Sequence, residues 1–163
     1  MCNEDHGILP DIHAAGLGEM ECEWLYLLRL HCTSYEHNRV DGLDSAISHA
    51  EKRFGADLGP GIAARIAVLV RAMRTERYGT FGYLSPHCPV CRKRITEDEW
   101  DLIALMRAGC QGDRSGIADA AAHFARRPEA PVLAGAAARF GMTAAALGRP
   151  ETKAAARGGA MLH

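Results

Sequence analysis

At 163 residues with 48% hydrophobic and 24% charged side chains, the chain is sized for one globular domain with a real core, not a disordered or fibrous segment. Aromatic residues are only 6% while alanine and glycine are plentiful, a balance that leans helical. The formal net charge of -1 excludes a general polycation, and no run approaches the roughly 20 apolar residues of a membrane helix.

Residues 1–18 mix Gly, Pro, Asp and His without a period and read as a flexible arm. They show neither a basic start nor a signal-peptide core, so a cytoplasmic protein with reduced cysteines is expected. A single helical domain follows over 19–140. Its first helix is expected from Glu19 to His37, with Trp24, Leu27, Leu28, His31 and Tyr35 on one face. Leu25, Leu30 and Cys32 widen that face until the helix is apolar nearly all round, the pattern of a central helix. The second carries Leu43, Ile47, Ala50 and Phe54 as its stripe, Asp41 or Asp44 as its cap and Gly55 as its stop. A third runs from near Gly61 to about Arg77, with Ile62, Ile66, Leu69, Val70 and Met73 facing inward.

An extended loop then carries "SPHCPVCRKR", and "TEDE" opens a fourth helix. Thr96 and Glu99 form a capping box there, and three acids occupy the first turn. That helix is expected to close at Gly109. A fifth is capped by Asp113 or Ser115 and stops before Pro128. A short sixth lies in "APVLAGAAARFG". Residues 141–163 read as a flexible Ala/Gly-rich tail. The fold class is therefore all-α: an irregular bundle of five to six helices with one extended loop carrying a CxxC turn.

That turn, at 86–94, is the chemical centre of the sequence. Cys88 and Cys91 can place two thiolates on one side of a tight turn, half of a tetrahedral zinc site, and Pro89 stiffens it. Arg92, Lys93 and Arg94 would offset the charge of a thiolate-rich centre. No second CxxC supplies the other half, so Cys32 and His37 are the expected partners, with His31 as substitute for His37. Cys2, His6, His13, Cys22, His87 and Cys110 rank below them. Taken singly, Cys22, Cys32 and Cys110 read as core residues, His31 as a core histidine with one hydrogen bond, and His49 as a solvated side chain. An iron–sulfur cluster and haem are the alternative cofactors.

The tetrapeptide "CPVC" resembles the C-P-x-C of glutaredoxin-type proteins. In that fold the pair opens a helix. Here the helix opens only at Thr96, and no alternating strand–helix pattern accompanies it. No P-loop, nucleophile elbow or HExxH is present.

Charge is distributed unevenly. Residues 1–60 hold 4 basic and 11 acidic side chains, and residues 61–94 hold 7 basic and 1 acidic. The expected contact face comprises Arg92, Lys93, Arg94, Arg71 and Arg74. The function expected from these features is that of a small zinc-binding regulatory or accessory protein that binds another protein. One alternative is a metal- or redox-sensing regulator that binds nucleic acid through the basic 65–94 segment. The other is a thiol-dependent enzyme using Cys88. The sequence names no oligomeric state and no substrate.

Overall fold

The computed structural model describes residues 9–38 and 40–148. It is all-α. Six α-helices occur among the described residues: α1 (Glu19–Glu36), α2 (Asp41–Phe54), α3 (Gly59–Glu76), α4 (Glu97–Gln111), α5 (Arg114–Ala125) and α6 (Pro131–Ala144). Short 3-10 turns cover Cys91–Lys93 and Ala145–Gly148. No helix among the described residues is long and apolar enough to cross a membrane.

Helix α1 is central, as its all-round apolar pattern predicts. Trp24, Leu25, Leu27, Leu28, Leu30 and Cys32 are buried in one core with Ile62, Ile66, Leu69 and Val70 of α3. The stripe ends before Tyr35, which is exposed at the helix end beneath Arg74. Helix α2 departs from expectation on two counts. Neither Asp41 nor Asp44 is its N-cap; Val40 holds that position without a side-chain cap. Its buried face is Ala46 and Ala50, while Leu43 and Ile47 are exposed. The reason is the close approach of α3: a Cβ on Gly59 would lie 2.5 Å from the carbonyl of Ala50. Only small residues fit such a contact.

The crossing of α4 and α6 follows the same rule. Gly109 does not end α4, which continues to Gln111 and closes on Gly112 at φ 77°. Gly109 is instead buried where α6 crosses. A Cβ there would meet the Ala137 carbonyl oxygen at 2.3 Å, and one on Gly141 would meet the Gly109 oxygen at 2.0 Å. Residues 141–144, expected in the tail, therefore belong to α6 and its packing. Residues 145–148 form the 3-10 turn that follows α6, and the rest of that expected tail, from 149 on, lies outside the described residues.

The N-terminal arm also needs revision over its described part. Ile12 N–H donates to the Lys93 carbonyl and Ile95 N–H to that of Pro10, both near 3 Å, and Leu17 is buried. Residues 9–18 thus lie against the end of the cysteine turn.

Candidate binding site at the cysteine turn

Between α3 and α4 the chain has no regular ladder, so its polar backbone groups need other partners. Around the cysteines they find them in the turn and in one buried ion pair. Cys91 N–H donates to Cys88 Sγ at 3.4 Å and Arg92 N–H to the Cys88 carbonyl at 3.0 Å, which closes the turn and holds the two cysteines close. Cys91 is buried and Cys88 half-buried.

Beneath them lies Arg29 of α1, 2% exposed, paired with the fully buried Glu99 of α4. The pair is bidentate, with Nε to Oε1 at 2.7 Å and Nη2 to Oε2 at 2.8 Å. Arg29 also donates to the carbonyls of Cys91 (3.3 Å) and Arg94 (2.7 Å). Glu99 accepts from Leu84 N–H at 3.1 Å and Thr96 N–H at 3.0 Å. Four backbone groups of the loop are therefore fixed by two side chains. The capping box is present as predicted, with Glu99 N–H donating to Thr96 Oγ1 at 3.0 Å. The Glu99 carboxylate does more than cap: it is the counter-ion of a buried arginine. Sequence reasoning passed over Arg29. Its signal was a single cation in the middle of an otherwise apolar helix.

The predicted ligands occupy different places. Among the described residues, no group of three or more His, Cys, Asp or Glu side chains is close enough to hold a metal ion. Cys32 lines a pocket with Tyr35, Val70, Met73, Arg74 and Tyr83. Burial, reinforced by the nearby Glu99 charge, pushes its thiol up to about 12. His37 lines two other pockets, with Ser85 in both and His87 in one. His31 is a core histidine: its Nε2 meets the Ala63 carbonyl at 3.1 Å, and burial holds its pKa below the ordinary value. Its Nδ1 has no hydrogen-bond partner among the described residues. Cys110, read as core, is exposed at the end of α4. Cys2 and His6 lie outside the described residues.

The expected basic face divides in the structure. Arg94 turns back on the N-terminal strip, donating to the Leu9 carbonyl at 3.0 Å. Arg74 stacks over Tyr35 at 4.3 Å beside the Cys32 pocket, and Arg71 is exposed on the same helix. Arg92 and Lys93 instead line a cleft of about 480 Å3 between α1, α2 and the cysteine turn. Its other walls are Ile12, Cys22, Glu23, Leu25, Tyr26, Arg29 and His49. His49, expected to be solvated, is half-buried here; its Nε2 lies 2.6 Å from Glu23 Oε2 and its ring packs on Tyr26. Arg53 holds the other Glu23 oxygen at 2.8 Å.

No protein-family model matches the chain, and neither a curated protein nor a solved structure matches it.

Proposed function

We propose that this chain is a small metal-binding regulatory or accessory protein that acts by binding another protein, with zinc as the metal. The observation that carries the reading is the Cys88–Cys91 turn. Its two cysteines are close, one backbone N–H points at a sulfur, and a buried ion pair braces it from below. A hydrogen bond to sulfur favours the thiolate, the form that ligates metal. Arg92 and Lys93, directly after the turn, are exposed and offer the contact charge.

The test is elemental analysis of protein purified without added metal. About one zinc per chain is expected for zinc held by thiolates. Cys88→Ser and Cys91→Ser should each abolish it. Loss in Cys32→Ala and His37→Ala as well, with the fold retained, would identify those two as the remaining ligands. Wild-type protein free of metal and fully folded overturns the reading.

The same N–H···S contact favours a second reading, thiol chemistry at Cys88. Selective alkylation of Cys88 in metal-free protein, faster than of the exposed Cys110, is its expected mark.

A further inference from the structure

We infer that the cleft between α1, α2 and the cysteine turn binds a small organic anion, a carboxylate- or phosphate-bearing molecule with an apolar portion. The inference goes beyond the metal reading and does not depend on it.

The argument begins with charge. Three charged groups in or beside the cleft, Glu23, Arg29 and Glu21, are already balanced by neighbours. Glu23 is held by His49 and Arg53, and Arg29 is neutralised by Glu99. The Cys22 thiol stays protonated, because burial and the Glu21 and Glu23 charges raise its pKa. Glu21 itself is paired with Arg107. The side chains of Arg92 and Lys93 have no hydrogen-bond or ion-pair partner among the described residues, and both line the cleft. Two positive charges therefore face a concavity in which the one carboxylate among the described lining residues, Glu23, is already held by two partners. An anion is the group such a site takes.

Shape and lining indicate the rest of the ligand. A volume of about 480 Å3 is that of a small-molecule site, in the usual range of roughly 300–1,000 Å3. Ile12 and Leu25 give it apolar wall, and the Tyr26 ring packs beside His49. The Tyr26 hydroxyl has no partner among the described residues, so it offers one directional hydrogen bond. A guanidinium takes a carboxylate or phosphate through two parallel N–H groups, and the lysine adds a point charge. Nucleic acid fits less well. It needs a continuous basic stripe, and Arg74 lines a separate pocket that shares no residue with this one.

The experiment is a titration of the full chain followed by amide chemical shifts. The probes are phenyl phosphate, benzoate, inorganic phosphate and phenol. Phenyl phosphate or benzoate should give saturable shifts at Ile12, Cys22 to Tyr26, His49, Arg92 and Lys93. Whichever of the two binds more tightly identifies the acidic group. Inorganic phosphate should bind at the same place but more weakly, and phenol should not saturate. Arg92→Ala with Lys93→Ala changes two exposed side chains and should weaken the probe at least tenfold, with the spectrum otherwise preserved. Tyr26→Phe should weaken it several-fold. The inference is overturned if neither aromatic anion saturates, if shifts appear equally at Arg71 and Arg114, or if the double variant binds as the wild type does. Zinc content is measured on the same samples, so failure of the metal reading would leave this result legible.

Discussion

Arg29→Met is the most exacting test of how the cysteine turn is held. Methionine keeps length and apolar volume but removes the guanidinium. The fully buried Glu99 carboxylate then loses both charged donors and keeps only the N–H groups of Leu84 and Thr96. The carbonyls of Cys91 and Arg94 lose a donor as well. Breaking one side of a buried pair costs about 3–5 kcal/mol, a large share of the 5–15 kcal/mol typical of a domain. The companion variant, Arg29→Met with Glu99→Gln, removes both charges and keeps acceptor and donor atoms at position 99. It should recover about 1–2 kcal/mol of that loss, because an uncompensated buried charge is the costliest element. Denaturant melts measure both. A second readout separates local from global effects. The Cys91 thiol is 1% exposed in the native chain and should react slowly with a thiol reagent under native conditions. In Arg29→Met it should react much faster than global unfolding allows. A loss below about 1 kcal/mol, or a Cys91 that stays as protected as in the parent, would refute the bracing role.

Three further outcomes follow from other contacts. Gly109→Ala should destabilise by about 2–4 kcal/mol through overpacking, because the new Cβ would fall 2.3 Å from the Ala137 carbonyl oxygen; a thermal melt unchanged from wild type would mean the α4–α6 crossing is looser. Thr96→Ala should cost on the order of 1 kcal/mol, since it removes the cap to Glu99 N–H and a 2.8 Å bond to the Gly82 carbonyl. His31 should make the fold acid-sensitive. Burial lowers its pKa below 6.5, so the unfolded chain takes up the proton first. Its stabilisation is present above about pH 6.5 and is lost as pH falls from there toward the depressed native value. Stability measured across that window should decline, and His31→Gln should flatten the decline.

The helices were legible because their signals are local. Thr96 and Glu99 mark a start, Gly55 marks a stop, and the period of Ile62, Ile66, Leu69 and Val70 marks a face. What was not legible was proximity. A glycine that ends a helix and a glycine that lets another helix touch it look the same in one dimension. Gly109 was read as the first kind and is the second. The exposed Leu43 and Ile47 carry the same lesson. Hydrophobicity suggested the inner face of α2, but the close contact with Gly59 selects the alanines instead.

The candidate site was half legible for a related reason. The cysteine pair announces itself, while the arginines around it looked like one basic surface. An irregular loop leaves carbonyls that no helix or sheet satisfies, and guanidinium groups with five donors are suited to collecting them. Arg29 takes the carbonyls of Cys91 and Arg94, Arg94 takes that of Leu9, and Arg77 takes those of Thr80 and Phe124 while pairing with Asp98. Much of the positive charge that a linear count assigns to an outer partner therefore serves the loop itself. Within 77–96, removing Arg77 and Arg94 from the count leaves Arg92 and Lys93 as its exposed cations. Both line the same cleft. Within the cysteine loop the exposed charge narrows to these two neighbouring side chains, while Arg71 and Arg74 stay exposed on α3, so the outward charge of the 61–94 segment is split between two separate places.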